Sequence, residues 1–497
     1  MKNYFLIILV SISAIFFAAC TDSENIVMTT PVDKTNNGFE SYAVAEIFAS
    51  NCAESGCHGG TEPQHALSLE SWEGLVHGSF GRAMSDSTHH HKVTNPAHGN
   101  TPYGGGVVVP FNAEKSLLYR LLTGNVENHT LAMPYGRQRI PQSQIDVIKA
   151  WINNGAKSNT GEIPYKHSDE KIYLCAQGSD EVYVVDAEHK AVSGIIDVDF
   201  VKSVPDQPHN IQIKNGYLYV TLITTGRLLK YNLNTLVLVG SVDGLEVPGM
   251  INISPDGKKA YVSKSSTATG EYNVIYVVDT ETMTRENDII LPVFGLPHAI
   301  ALSNDGTILY AANLTKDRIS IMNTSTGDHI DDIVLASGSV LIHEPMHIYL
   351  SPDNNYLYIN CRKSSKMLVV DTQTKTIVQE ITIQNHPMQS AVSSDGNRIY
   401  TVSHHHPVIT EITKTGNIWS ITNEFESPYF HHLYGADLSP DGRYLYVTCA
   451  NDTDDFKPGY RLPGQTRSAL LCVYDTQTRE IVRILDSGSY ATGIAAR

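Results

Sequence analysis

Segments with the pattern of β-strands repeat through the second two thirds of the chain. Each segment has an apolar strand, a turn and a further strand centred on a tyrosine, and these strands are rich in Val, Ile and Thr, as β-strands usually are. Seven tyrosines mark the repeats at intervals of 42 to 49 residues: Tyr173, Tyr219, Tyr261, Tyr310, Tyr358, Tyr400 and Tyr446. A period in this range predicts a ring of blades with four strands in each blade, and seven repeats predict seven blades.

Turn sequences occur at matching positions in several repeats. A Ser-Pro-Asp-(Gly/Asn) turn begins at Ser254, Ser351 and Ser439, and an apolar pair followed by Asp-Thr begins at Val277, Val369 and Val473. With the tyrosine strands, these turns make residues 167–497 similar to the YVTN class of seven-bladed β-propellers. The first repeat lacks the apolar strand that precedes the later tyrosines, and residues 491–496 have that pattern. We therefore expect the end of the chain to complete the first blade and close the ring.

Residues 39–157 show helical periodicity instead. Apolar residues recur every three or four positions around Val44 to Phe48, Leu117 to Leu122 and Ile145 to Ile152. The last two patterns end at Gly124 and Gly155, as helices commonly do. The pattern predicts a small all-α domain at 39–157, joined by a linker at 158–166 to the all-β propeller.

The first predicted helix runs into Cys52-Ala53-Glu54-Ser55-Gly56-Cys57-His58. Two cysteines followed directly by a histidine are typical of covalent attachment of a c-type haem, with the histidine as the proximal iron ligand. The usual spacing has two residues between the cysteines, whereas this chain has four. The heptapeptide alone also fits a disulfide beside a surface histidine, or half of a zinc site.

The order of motifs in this region resembles the cytochrome c domains that are fused to other modules in many bacterial exported proteins. The motifs are the cysteine–histidine heptapeptide, Ser116-Leu117-Leu118-Tyr119-Arg120, Met133-Pro134 and Ile148 to Ala156. The resemblance implies one covalent haem c on Cys52 and Cys57, with His58 and Met133 as iron ligands. The interval between His58 and Met133 is longer than this resemblance implies. His98, the triplet His89-His90-His91 or an open position therefore remain alternatives to Met133.

The N-terminus has the pattern of an export signal. A short basic start is followed by an apolar run from Tyr4 to Phe17 and by Ala18-Ala19-Cys20. The run is shorter than a comfortable membrane-spanning helix. This ending resembles a bacterial lipoprotein signal, which implies that Cys20 is the lipidated first residue after removal of the signal. Residues 1–20 are then the signal with its lipidated cysteine, and 21–38 a polar tether.

Histidines gather where the innermost propeller strands are predicted to begin. They are His209, His298, His343, His347, His386, His431 and His432. A subset, His209, His298, His347, His386 and His432, is a candidate second site for copper or another metal, supported by Met346 and Met388 nearby. The alternative is that these imidazoles cap backbone groups or line a wet channel. His404-His405-His406 is expected in a solvated loop, and Cys449 and Cys472 either form a disulfide or remain buried thiols.

The formal net charge of −16 argues against nucleic acid as a partner. The function that we predict is electron transfer by a haem protein anchored in the cell envelope, with the outer membrane favoured, a redox partner protein and the propeller as its docking module. Two alternatives remain. One is a periplasmic oxidoreductase with a substrate or metal at the histidine-rich mouth of the propeller. The other is a surface binding protein with a haem redox sensor.

Overall fold

The structure is a computed structural model that describes residues 35–80, 102–166, 168–200, 202–264 and 272–497. The predicted signal with Cys20, most of the tether, the triplet at 89–91 and His98 lie outside the described residues. No helix among the described residues is long and apolar enough to span a membrane.

Four α-helices lie in the described part of residues 39–157, here called the helical segment. They are α1 (Tyr42–Asn51), α2 (Trp72–His77), α3 (Leu117–Thr123) and α4 (Gln142–Asn153). Two short 3₁₀-helices, Gln64–Ala66 and His129–Leu131, accompany them. Helices α1, α3 and α4 lie where the apolar periodicity predicted them. Ser41 begins α1 by accepting a hydrogen bond from the amide of Val44, and Gly124 ends α3 in the left-handed conformation.

The rest of the chain is β-structure. In chain order the strands are β1 (Lys171–Ala176), β2 (Glu181–Asp186), β3 (Ala191–Asp197), β4 (Pro208–Lys214), β5 (Tyr217–Leu222), β6 (Arg227–Asn232), β7 (Leu238–Val242), β8 (Pro248–Ile253), β9 (Lys259–Lys264), β10 (Tyr272–Asp279), β11 (Thr284–Arg285), β12 (Ile289–Gly295), β13 (Pro297–Leu302), β14 (Ile308–Asn313), β15 (Arg318–Asn323), β16 (His329–Val334), β17 (Pro345–Leu350), β18 (Tyr356–Cys361), β19 (Lys366–Asp371), β20 (Thr376–Thr382), β21 (Pro387–Val392), β22 (Arg398–Ser403), β23 (Val408–Thr415), β24 (Ile418–Glu426), β25 (Leu433–Leu438), β26 (Tyr444–Cys449), β27 (Ser468–Asp475), β28 (Glu480–Ser489) and β29 (Ala491–Ala496).

These strands form seven antiparallel sheets among the described residues, so the protein contains a seven-bladed β-propeller. In six blades the strands are consecutive in the chain. The first blade instead has the order β29-β1-β2-β3. In its ladder Ile172 lies opposite Ala496 and Leu174 opposite Ile494. The last strand therefore closes the ring, which confirms the predicted closure. The innermost strands β29, β4, β8, β13, β17, β21 and β25 each contact the next around the ring.

The repeated sequence features have clear structural roles. Each of the seven marker tyrosines is buried in the second strand of its blade. The Ser-Pro-Asp turn links the first two strands: the hydroxyl of Ser254 donates to Asp256 at 2.6 Å and accepts from the amide of Lys259 at 2.9 Å. The same Ser–Asp pair recurs in four later blades, beginning at Ser303, Ser351, Ser393 and Ser439. These local turns help to set the register of the five blades that contain them.

The helical segment packs directly on the propeller. The backbone of Ile484 in β28 exchanges hydrogen bonds with Pro102 and Gly104, and Tyr103 between them is fully buried. An ion pair joins Lys115 to Glu181 at 2.5 Å, and another joins Glu127 to Arg461. Residues 36–497 form one compact unit, so the structure does not set the helical segment apart as a domain of its own.

Candidate functional site

The cysteine–histidine heptapeptide follows α1 without a break. The amide of Cys52 donates to the carbonyl of Phe48 as the C-cap, and the amide of His58 donates back to the carbonyl of Cys52 at 3.1 Å. The residues between the two cysteines form a tight turn, in which Gly56 has φ of 82°. Because glycine adopts this conformation without steric cost, the two extra residues of the motif are accommodated as a turn. Both thiols are half-buried and free.

His58 is held by the backbone that follows it. Its Nδ1 lies 3.2 Å from the carbonyl oxygen of Leu67, and its own carbonyl accepts the amide of Leu69 at 2.8 Å. Burial lowers the pKa of His58 despite its hydrogen bond to Leu67, so the imidazole is neutral at pH 7. When Nδ1 carries the proton and donates to Leu67, Nε2 has the lone pair that a metal ion requires.

Met133 belongs to the same side of the helical segment. Its amide donates to the carbonyl of Leu121 at 2.9 Å, and its half-buried side chain packs, like that of Cys52, against the core of the segment. Four residues later, Arg137 forms an ion pair with Glu54 at 2.8 Å. Since Glu54 lies between the two cysteines, this pair links the chain after Met133 to the heptapeptide.

The core beneath these residues is aromatic. Trp151 of α4 meets Phe39 and Phe48 edge to face, with ring centroids 5.8 and 6.0 Å apart. Burial raises the pKa of the Cys52 thiol to about 12, so a free thiol there stays protonated. The donor set comprises two half-buried thiols, an oriented neutral imidazole and a thioether. This set is compatible with a haem held by two thioether bonds and two axial ligands.

A second group of candidate residues lies at the central channel of the propeller. The ladder between the innermost strand and its neighbour shifts register near the start of the innermost strand, as between Pro297 and Ala299 in β13 and between Pro208 and Asn210 in β4. Such bulges redirect side chains at the rims of barrels and next to sites. His209 and His298 occupy the shifted positions, which explains why histidines gather at these strand starts.

Three of the predicted histidines are buried in the channel. The rings of His298 and His347 have centroids 5.3 Å apart, and Nδ1 of His298 lies 2.9 Å from the carbonyl oxygen of Met346. Nδ1 of His209 lies 3.0 Å from the side-chain oxygen of Gln177. Burial lowers the pKa of His209 to about 3 and that of His298 to about 4, and it places the pKa of His347 well below its usual range. All three are therefore neutral at pH 7.

The other predicted histidines have different partners from these three. The ring of His343 hydrogen-bonds the hydroxyl of Ser364 at 3.1 Å, and its amide donates to Asp317 at 2.9 Å. This arrangement is that of a structural histidine. His431 stacks near Phe456, with centroids 5.6 Å apart.

His386 and His432 meet residues that the sequence analysis did not assign to a site. They lie with His404, His405 and Asp452 where blades six and seven adjoin, and these five residues are called the mouth cluster below. The expectation of a solvated loop at 404–406 is wrong for His404, which is buried. It is buried because His404 stacks on His432, with centroids 4.6 Å apart and rings inclined by 14°.

The remaining cysteines are buried thiols. The Sγ atoms of Cys449 and Cys472 lie 3.6 Å apart in neighbouring strands without a bond, and Cys175 and Cys361 are buried singly. Burial raises the pKa of Cys175 and Cys361, which makes them unreactive. A separate cavity of about 160 Å³ lies between the helical segment and blades one and seven, and its lining includes the Lys115–Glu181 pair.

Comparison with known proteins supports the propeller. No protein-family model matches the chain. The chain is 31% identical over 110 residues to the seven-bladed β-propeller protein Rv1057 of Mycobacterium tuberculosis, which covers 22% of this chain and 25% of that protein. It is 27% identical over 193 residues to antigen Lp49 of Leptospira interrogans, which covers 35% of this chain and 40% of that protein. The matches thus span less than half of either curated relative.

Two solved structures share the propeller fold with this chain at low sequence identity. A functionally unknown protein from Desulfotomaculum acetoxidans superposes with a TM-score of 0.53 at 14% identity, covering 66% of this chain and 98% of that protein. A putative 6-phosphogluconolactonase from Bacteroides uniformis gives 0.51 at 14% identity, covering 66% and 100%. At such low identity the superpositions establish a shared propeller architecture and give no information about activity.

Proposed function

We propose that the chain is a haem-binding electron-transfer protein of the cell envelope. The helical segment carries one haem c on Cys52 and Cys57, and the propeller serves as the docking module for a redox partner protein. The observation that carries the proposal is the imidazole of His58, oriented by Leu67 and directly adjacent to a free thiol.

Each residue of the segment has a distinct task in this function. Cys52 and Cys57 would hold the porphyrin through thioether bonds, His58, oriented by the Leu67 carbonyl, would bind the iron, and Met133 would offer a soft sulfur ligand. The aromatic core around Trp151 excludes water. When bound, the haem supplies one-electron transfer, and the chain controls its potential through ligand identity, hydrogen bonding and burial.

Localisation follows from the same proposal. Attachment of haem c takes place outside the cytoplasm, and the signal that the sequence predicts at residues 1–20 would direct the chain there. We place the protein in the envelope, held through a lipid on Cys20, with the outer membrane favoured. The net charge of −16 supports a basic partner surface rather than nucleic acid.

A pyridine haemochrome spectrum of the full chain, produced in a host that installs haem c, tests the proposal. We expect one haem per chain, with the spectrum of a haem bearing two thioether bonds. The double variant Cys52→Ser/Cys57→Ser should contain no covalent haem, and the control Cys175→Ser should retain it. A wild-type chain without haem under these conditions would contradict the proposal.

The identity of the second axial ligand is tested separately. Met/His ligation gives a higher reduction potential than ligation by two histidines. Met133→His should therefore lower the potential, on the order of 0.1 V, while the haem content stays at one per chain. An unchanged potential would remove Met133 from the site and favour a histidine such as His98 or an open position.

A second candidate function is favoured by the mouth cluster and the buried channel histidines. In this alternative the haem exchanges electrons with a substrate or a metal at the mouth of the propeller. The loop 450–467 supports this alternative because it holds Asp452 in the mouth cluster, while its Gly459 accepts the amide of Asn128 in the helical segment at 3.3 Å. Under this alternative His298→Ala and His432→Ala abolish turnover and leave haem reduction intact.

A further inference from the structure

The mouth cluster brings together residues from two adjacent blades. His386 precedes β21 and His404 follows β22 in blade six, whereas His432 precedes β25 and Asp452 follows β26 in blade seven. His404, His432 and Asp452 each offer one ligand atom, and these three atoms lie within 4.8 Å of one another. Within the described ranges, no other group of three His, Cys, Asp or Glu side chains comes together in this way.

Backbone hydrogen bonds hold the ligands in place. The amide of His404 donates to the carbonyl of His386 at 3.0 Å, which pairs the two histidines of blade six. In blade seven the amide of Ala450 donates to the carbonyl of His432 at 2.8 Å. The side chain of Asn451 donates to two backbone carbonyls at 2.9 Å, which fixes the loop where Asp452 begins. The three ligands therefore lie just outside strand ends, within three residues of β22, β25 or β26, where backbone and Asn451 hydrogen bonds hold the chain.

The spacing of the atoms suits a single ion. Nε2 of His404 lies 3.4 Å from Oδ2 of Asp452, and Nδ1 of His432 lies against Oδ1 of the same carboxylate. Two ligands of a tetrahedral zinc ion, each at about 2.1 Å from the metal, are separated by about 3.4 Å. The separation of His404 and Asp452 therefore matches that of two ligands of one ion, whereas His432 and Asp452 are in direct contact and their side chains would move apart to admit the ion.

Two further imidazoles, those of His386 and His405, lie beside the three ligands. The ring centroids of His386 and His405 are 4.0 Å apart, and His404 lies 5.5 Å from His386. Nδ1 of His404 is buried, and no described residue hydrogen-bonds it.

We infer that the mouth cluster binds one divalent transition-metal ion through His404, His432 and Asp452, with His386 and His405 beside it. Two imidazole nitrogens and one carboxylate oxygen favour Zn²⁺, Fe²⁺ or Cu²⁺ over Mg²⁺ and Ca²⁺, which prefer oxygen ligands. Three protein ligands leave at least one coordination position for water or a small ligand at the channel mouth. This site is independent of the proposed haem, from which it differs in metal, ligands and location in the chain.

Equilibrium dialysis of the chelator-stripped full chain against Zn²⁺, with elemental analysis of the protein, tests the inference. We expect one zinc ion per chain and no retention of Ca²⁺. The variants His404→Ala and Asp452→Asn should each weaken Zn²⁺ binding by at least about 100-fold, because each removes a ligand. His406→Ala is the matched control from the same histidine triplet. Its ring is exposed and bonded to Gln384 at 2.9 Å, so the variant should bind zinc as the wild type does.

Two further measurements distinguish loss of the zinc site from loss of the fold and from loss of the haem. Asp452 is partly exposed, so Asp452→Asn retains the fold, and circular dichroism at equal temperature verifies this for both variants. Zinc binding in Cys52→Ser/Cys57→Ser should equal that of the wild type, since no haem is needed. Failure of the wild type to retain zinc would overturn the inference, as would equal losses in His406→Ala and Asp452→Asn, and neither result would affect the haem proposal.

Discussion

The helical segment and the propeller obtain their order in different ways. The helical segment relies on one small core around Phe48 and Trp151, with α-helices of 6 to 12 residues. The propeller relies on seven similar sheets that support each other around a ring, closed by β29. The segment's candidate ligands therefore include a contiguous motif, whereas those of the propeller come from separate strand ends. A local site can lose its chemistry and keep its fold, but a ring depends on every contact between neighbouring blades.

Removing the last strand should produce the largest effect on stability. Deletion of residues 491–497 removes the strand that pairs with β1 and exposes the buried apolar face of blade one. We expect a loss on the order of 5 kcal/mol of unfolding free energy, or failure to accumulate as soluble protein. Thermal unfolding by circular dichroism measures the loss. Deletion of Arg497 alone is the control, and an unchanged melting temperature after the longer deletion would contradict ring closure.

Acid should weaken the propeller through its channel histidines. His209 and His298 have pKa values of about 3 and 4 in the folded chain because they are buried, against about 6.5 when unfolded. Below pH 6.5 the unfolded chain therefore binds protons that the folded chain does not, and stability falls as the pH falls from about 6.5 towards 4. Each histidine accounts for about 2 kcal/mol at pH 5. Denaturant titrations at neutral pH and near pH 5 measure the difference.

One buried carboxyl acts in the opposite direction. Burial raises the pKa of Asp437 to about 6. Its contribution to the free energy of unfolding is therefore fully present below the unfolded pKa of the carboxyl and is lost as the pH rises through 6.

The double variant His209→Gln/His298→Gln should show a much flatter dependence of unfolding free energy on acid pH than the wild type. Equal unfolding free energies of the wild type at neutral pH and near pH 5 would contradict the role of these histidines.

Much of the propeller could be predicted from its sequence because the blades repeat similar strand and turn sequences. The marker tyrosines, the Ser-Pro-Asp turns and the terminal strand all occupy the predicted places. The helices were predictable for a similar reason, since their apolar periodicity is local. Haem attachment remains a prediction from the heptapeptide.

The parts that could not be predicted depend on contacts between distant segments. Asp452 lies in a loop without any regular pattern, and only the packing of blade seven on blade six brings it to His404. Tyr103 lies between Pro102 and a run of three glycines and carries no periodic signal, yet it is buried against Phe456 and Tyr429. Sequence patterns report local structure, whereas these contacts arise from the assembly of the ring and the segment packed on it.

A close approach of backbones inside the ring should give an intermediate effect. A Cβ atom at Gly435 in β25 would lie 2.5 Å from the carbonyl oxygen of Thr492 in β29. Gly435→Ala therefore forces the two innermost strands apart, and we expect a loss of about 1–3 kcal/mol. In the control Gly194→Ala the added atom lies 3.5 Å from Leu236, an ordinary contact. Similar losses in both variants, measured by denaturant titration, would show that the innermost strands are not tightly packed.

The smallest effect on stability is expected at the exposed pair of the helical segment. Arg137→Gln removes the ion pair with Glu54, and an exposed pair contributes little to the free energy of unfolding. The consequence for chemistry should be larger, because the pair ties the chain after Met133 to the heptapeptide. We expect a reduced fraction of methionine-ligated haem in the absorption spectrum. Lys149→Gln, which breaks the exposed pair with Glu114, is the control and should leave the spectrum unchanged.

The most direct test of the account is whether pigment and polypeptide are one covalent molecule. The chain is produced in a host that installs haem c, extracted with acidified acetone and digested, and the peptide that contains Cys52 and Cys57 is weighed by mass spectrometry. If haem c is attached at Cys52 and Cys57, the pigment stays with the protein and this peptide carries the mass of one haem. Pigment that is extracted into the solvent, with the peptide at its unmodified mass, would contradict it.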